Sequence, residues 1–171
     1  IRKEIFRDLL IETEVAFTIA KRIEKPLATV ADLKPLVGFV HCAFELAENR
    51  FDPAEGAAGV VDQVASGAGS HRFIIGPALP AHSIDLSTVT LTLSVNNKTV
   101  TSVPATEVMG NPWHSLLWLV NQVVHLGGSL EPGMIVLTGT AAPAFKATGP
   151  SLTGSFLGDG GPIGQVRCTI H

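Results

Sequence analysis

Residues 11–17 read "IETEVAF", and the two acids in that short run pose a chemical question. Glutamates at i and i+2 project from the same side of an extended chain, with Cα atoms roughly 7 Å apart at about 3.3 Å rise per residue. One cation can reach both carboxylates. A third acid, Glu45, sits in "FELAENR" and opposes the apolar Phe44 and Leu46 in the same way. If the two segments are neighbouring strands, three carboxylates converge on one point. Oxygen-only ligation suits Mg2+ or Mn2+ and not zinc, which prefers histidine and cysteine. Three acids packed together repel one another strongly, so a cation or a proton has to intervene. The plain alternative is a half-buried strand whose outer face is wet, as one face of an antiparallel sheet commonly is.

These side chains need strands to hold them. Ile11, Thr13, Val15, Phe17 and Ile19 alternate with Glu12, Glu14, Ala16, Thr18 and Ala20, the period of a strand. Residues 38–48 alternate likewise, with Val40, Cys42, Phe44 and Leu46 on one face and His41, Ala43, Glu45 and Ala47 on the other. Residues 1–10 form a short helix or the end of an upstream element. Thr29 of "TVAD" can cap a helical turn, with Asp32 favouring its positive end. "DPAEGAAGVVDQVAS" opens on an Asp–Pro start signal and predicts a helix over much of its length, weakened by its glycines.

The middle of the chain reads as β-structure. "STVTLTLSV" and "KTVTSV" predict a hairpin turning at Asn96-Asn97, because asparagine tolerates positive φ. Asn111 as N-cap, Pro112 at the first helical position and Gly127-Gly128 beyond the end delimit a helix. Its expected buried stripe is Leu116, Leu117, Val120, Val123 and Val124. "GMIVLTGT" predicts a short strand, and "GSFLGDGGPIGQVRCTI" a closing glycine-rich hairpin. Many short strands, few helices and no regular βαβ alternation define an α+β domain with a mostly antiparallel or mixed sheet.

Composition excludes several functions. The 171 residues are 46% hydrophobic and 16% charged, which fits one globular domain with a sizeable core. A net charge of −3 without a basic block argues against a nucleic-acid surface. The stretch Leu116–Leu126 is too short and too polar to span a bilayer, and "IRKEIFRDLL" lacks the features of a secretory signal. Cys42 and Cys168 form no CxxC pattern, so neither a disulfide framework nor a zinc knuckle is indicated and a cytoplasmic setting is expected. "GDGGPIG" lacks the spacing of a nucleotide loop, and no G-x-S-x-G elbow occurs. His41 shares the face of Glu45 but lies roughly 13 Å along the strand, which makes it a wall position. His114, His125 and Trp118 share one side of their helix and read as a solvated or interface face. Arg50 either holds a glutamate in place or meets a substrate carboxylate.

"IETEVAF", "FELAENR" with Arg50, "VVDQVASGAG", "VMGNPWHSLLWLVNQVVHLGGSLEPGMIVLTGT" and the closing hairpin occur in that order along nearly the whole chain. The set resembles the fumarylacetoacetate hydrolase superfamily, and within it the branch of 2-hydroxypenta-2,4-dienoate (2-oxopent-4-enoate) hydratases and 4-oxalocrotonate decarboxylases. The resemblance implies a rolled or barrel-like sheet with a few helices, and a single catalytic domain over residues 1–171 without the usual N-terminal segment. It implies a metal-dependent lyase, a hydratase or decarboxylase, acting on short 2-oxo or 2-hydroxy-dienoic acids of aromatic-compound degradation and assembling as a homo-oligomer. Glu12, Glu14 and Glu45 would hold Mg2+ or Mn2+, with Thr140 and Arg50 binding substrate. A C–C bond hydrolase acting on acylpyruvates, or a catalytically weak structural relative, are the alternatives.

The chain departs from that branch at Ser66-Gly67, Asn111 and Pro150. Members of the branch also carry a longer N-terminal segment with a lysine proposed for acid–base work, whereas eleven residues precede Glu12 here. No residue is assigned as general acid or base.

Overall fold

Two long strands make the centre of the fold, because their apolar positions alternate over eleven and twelve residues. The computed structural model describes residues 1–52, 54, 56–147 and 149–171. In chain order the strands are β1 (Leu9–Ile19), β2 (Val37–Glu48), β3 (Ser70–Ile75), β4 (Leu79–Pro80), β5 (Thr90–Val95), β6 (Lys98–Pro104), β7 (Ile135–Leu137), β8 (Phe145–Lys146), β9 (Ser151–Gly158) and β10 (Gly161–Thr169). The helices are α1 (Val30–Leu33), α2 (Val60–Ala65) and α3 (Pro112–His125). One sheet runs β3-β2-β1-β7, with β4 on the edge of β2 and β8 on the edge of β1; the other runs β10-β9-β5-β6. Every pairing is antiparallel, and the result is the expected α+β architecture of curled sheets with few helices.

The core lies between the sheets. Phe44 of β2, Leu91 and Leu93 of β5, and Leu152 and Phe156 of β9 are each at most 2% exposed. Glycine at 154 allows the close approach: a Cβ there would stand 2.8 Å from the Phe44 ring and 2.9 Å from Val166. The β5–β6 hairpin turns at Asn96 and Asn97, with φ of 49° and 65°, the left-handed pair that a two-residue turn requires.

Helix α3 braces the first sheet. Asn111 Oδ1 accepts the Trp113 N–H at 3.0 Å, and the Trp113 ring meets Phe17 of β1 at 4.6 Å between centroids. Asn121 clamps the backbone of Leu27, accepting its N–H and donating to its carbonyl, both at 2.9 Å. The buried side of α3 is Trp113, Ser115, Leu116 and Val120, whereas Leu117, Val123 and Val124 are half-buried. Thr29 and Asp32 form a reciprocal capping box on α1.

Several expectations need correction. The helix expected over "DPAEGAAGVVDQVAS" is only Val60–Ala65 among the described residues; Pro53 and Glu55 lie outside them. Gly56 at φ +97° cannot continue a right-handed helix, and Gly59 is the extended N-cap. The first ten residues hold a 3-10 turn at Lys3–Ile5, after which β1 has already begun at Leu9. Strands β3, β4 and β8 carry no alternation long enough to announce them. No helix among the described residues is long and apolar enough to cross a membrane.

Candidate metal centre

Strands β1 and β2 pair with Glu12 directly opposite Glu45 and Glu14 opposite Ala43. Directly opposed residues share a face. All three carboxylates therefore stand on the face away from Ile11, Val15 and Phe17. Each offers an oxygen, and these oxygens all lie within 4.8 Å of one another. A wet outer face does not describe this surface, since Glu14 is 1% exposed and Ala16 is fully buried.

The cover comes from β7 and the turn that follows it. Strand β7 pairs with β1 through Leu137 and Ala16. Thr138 donates both its N–H and its hydroxyl to the Val15 carbonyl, each at 3.1 Å. Ser115 of α3 donates to the Thr138 carbonyl at 2.8 Å. The next residue, Gly139, has φ +92°, and its N–H donates to Glu14 Oε2 at 2.8 Å. Glu14 Oε1 is buried with no hydrogen-bond donor among the described residues.

Like charges placed directly across an antiparallel pair repel, and here the pair is joined by a third. Burial, then hydrogen bonding to and repulsion from Glu45, push Glu12 up to about 7. Burial and then the charge of Glu45 push Glu14 up to about 8, with the Gly139 N–H pulling the other way. Without a cation the cluster holds protons near neutral pH. An all-oxygen donor set, including a buried carboxylate oxygen that meets no donor among the described residues, fits a hard divalent cation.

The other candidates fall into two groups. His41 is buried on the same face, where Nδ1 donates to the Gly76 carbonyl at 2.9 Å and Nε2 pairs with Thr18 Oγ1 at 2.8 Å; it is a wall residue. Arg50 is engaged as a strut. Its guanidinium bonds Glu48 at 2.9 Å and the carbonyls of Ser66 and Ser70 at 2.9 and 2.7 Å, tying the α2–β3 turn to the end of β2. The Thr140 hydroxyl donates to the Ala142 carbonyl within its own turn, one residue beyond Gly139. His114, Trp118 and His125 lie on the exposed side of α3.

Comparison with known proteins shows the family. The profile of the fumarylacetoacetate (FAA) hydrolase C-terminal domain matches residues 2–168. The chain belongs to the fumarylacetoacetate hydrolase family. It is 32% identical over 164 residues to a 2-keto-4-pentenoate hydratase of Paraburkholderia phymatum, covering 94% of this chain and 60% of the relative. It is 28% identical over 165 residues to a 2-oxo-hept-4-ene-1,7-dioate hydratase of Escherichia coli, covering 92% of this chain and 60% of that one. The chain thus spans about three-fifths of the length of these curated relatives. Its fold matches that of the 4-oxalocrotonate decarboxylase from Pseudomonas putida G7 complexed with magnesium and adipate, with TM-score 0.85 at 21% identity, covering 100% of this chain and 64% of that one.

Within this family member, one contributor to the cluster escaped the sequence reading, and with it two residues that share the face of the acids. Gly139 acts through its backbone N–H, for which the "TGT" run was the available signal. Phe73, opposite Glu45, and Lys146, opposite Leu10, share the sheet face of the acids through β3 and β8.

Proposed function

We propose that this chain is the catalytic part of a divalent-metal-dependent lyase, a hydratase or decarboxylase, acting on short 2-oxo or 2-hydroxy-dienoic acids of aromatic-compound degradation. The observation that carries the proposal is the convergence of Glu12, Glu14 and Glu45 around a buried carboxylate oxygen that meets no donor among the described residues. The activities named for the relatives support the substrate class, and the magnesium complex of the structural neighbour supports the choice of cation. Glu12, Glu14 and Glu45 hold Mg2+ or Mn2+ in this reading. A bound cation of this kind stabilises negative charge developing beside a carbonyl.

The chain's own groups have separate tasks. The Gly139 N–H orients Glu14, and the β7 turn keeps water from it. Thr140, next to Gly139, is the proposed substrate contact, and Arg50 is the proposed strut that fixes the end of β2. Cytoplasmic residence and homo-oligomeric assembly belong to the same proposal. Two free cysteines suit a reducing compartment, and the exposed Trp118 and Leu126 suit a subunit contact.

The test is Glu14→Gln, which removes one anionic ligand at nearly constant volume. The expected outcome is a loss of Mn2+ affinity of about 100-fold or more, with the fold retained by circular dichroism and turnover of 2-hydroxypenta-2,4-dienoate reduced in parallel. Metal-independent turnover that survives the substitution refutes the proposal. Turnover of an acylpyruvate alone assigns the chain to the hydrolase chemistry instead.

A further inference from the structure

Serine is a costly choice for the buried side of a helix, because alanine has the higher helix propensity and the serine hydroxyl has to be satisfied. On that side of α3, Trp113, Leu116 and Val120 are apolar, yet Ser115 stands among them at 8% exposure. A serine inside a helix commonly returns its hydroxyl to its own helix, to the carbonyl four residues back. Ser115 instead donates to the Thr138 carbonyl, 23 residues further along the chain, at 2.8 Å. What it holds lies outside the helix.

The Thr138 carbonyl and the Gly139 N–H belong to one peptide group. A trans peptide is planar, with its C=O and N–H on opposite edges. Ser115 grips one edge of this plane, and Glu14 Oε2 accepts from the other at 2.8 Å. Hydroxyl, peptide and carboxylate thus form one chain of hydrogen bonds in which each polarises the next. The plane needs that grip. Gly139 follows it at φ +92°, and a Cβ added there would meet nothing within 4 Å, so glycine serves for its backbone freedom and not for space. The same freedom lets the plane rotate, which would turn the Thr138 carbonyl toward the Glu14 carboxylate, acceptor against acceptor.

Everything around the plane is anchored. Helix α3 is fixed to β1 through Trp113 and Phe17 and to Leu27 through Asn121. Thr138 is fixed to the Val15 carbonyl, one residue beyond Glu14, by its N–H and its hydroxyl. The geometry points to Ser115 as a positioning residue for the metal ligand Glu14: its hydroxyl sets the plane of the Thr138–Gly139 peptide, and the Gly139 N–H then fixes how the carboxylate faces the cluster. Oε2 is held by that N–H, and Oε1, which meets no donor among the described residues, is left for the cation. Groups that bond a ligand from behind orient it in this way and tune metal affinity. This inference rests on the proposed metal-dependent function and adds a residue to it.

The experiment follows the Gly139 amide proton by NMR in the metal-free protein and measures Mn2+ affinity by titration, on the same variants. Ser115→Ala is expected to move the amide proton upfield, as its bond to Glu14 weakens, and to lower Mn2+ affinity about 10-fold or more with the circular dichroism retained. Ser115→Thr keeps the hydroxyl and is expected to restore both. Ser115→Cys, close in size but a weak donor, is expected to behave as the alanine variant does and replaces it if that variant does not fold. Val120→Ala, on the same buried side of α3, removes packing but no hydrogen bond, and is expected to leave the amide signal and Mn2+ affinity unchanged. Mn2+ affinity that is unchanged in Ser115→Ala and Ser115→Cys, or that falls equally in Val120→Ala, overturns the role of Ser115 and leaves the metal-dependent function standing. Failure of wild type to bind Mn2+ overturns the function and this inference together.

Discussion

On one face of β1, Ile11, Val15, Phe17 and Ile19 are each at most 1% exposed and join the apolar core; on the other, Glu12 and Glu14 meet Glu45 across the strand pair. The backbone is common to both, so the difference lies in what each face needs for completion. The core face is complete when water is excluded, because its driving force is area removed from water. The acid face is incomplete under the same condition. Burial there raises the energy of the ionised carboxylates and leaves Glu14 Oε1 without a donor among the described residues. One side stabilises the fold, and the other holds a charge problem that a ligand can resolve.

Substitutions on the two faces should therefore separate cleanly. The largest effect is expected from Phe17→Ala, which removes a fully buried ring in contact with Trp113. Unfolding in urea should show a loss of about 3–5 kcal/mol. A loss equal to that of a surface substitution would mean that the core face is not the seat of stability.

The next effect is a dependence on pH confined to the acid face. Glu12 and Glu14 have native values of about 7 and about 8 against an ordinary value of 4.5, so the native state binds more protons than the unfolded chain between those limits. Stability from this cluster is then fully present below about pH 4.5 and is lost as pH rises through 7 to 8. Glu48, Asp52 and Asp85 are held below their ordinary values by hydrogen bonds, and act with the opposite sign at more acidic pH. Thermal melts in EDTA should show the melting temperature falling between pH 5 and pH 8.5. Added Mg2+ should flatten that fall, and an identical slope with and without Mg2+ would sever the cluster from metal binding.

The smallest effect sharpens the contrast. Thr13 is on the core face, yet its hydroxyl is buried with no partner among the described residues. Thr13→Val keeps the shape and removes the unsatisfied group, so a gain of about 1 kcal/mol in denaturant unfolding is expected, with Mn2+ affinity unchanged.

The parity of the acids was legible in the residues alone, because side-chain direction along a strand is a local property. Likewise the Asn96-Asn97 turn, the Thr29 cap and the Asn111-Pro112 helix start each depend on a few adjacent residues. The length of α2 was misjudged because hydrophobic pattern does not record that Gly56 is left-handed. Strand β8 is two residues long, too short for any period, and Lys146 was missed with it.

By itself, then, the sequence determined that Glu12 and Glu14 point one way, that Glu45 opposes its apolar neighbours, and that the family resemblance covers nearly the whole chain. Only the tertiary structure decided that Glu12 stands opposite Glu45, that Gly139, 125 residues away, donates to Glu14, and that Lys146 flanks the same face. Parity repeats every two residues and is set by the backbone at each position. Register and cover are set by which distant segments pack together, a choice made by the burial of the whole core and not by any window of residues.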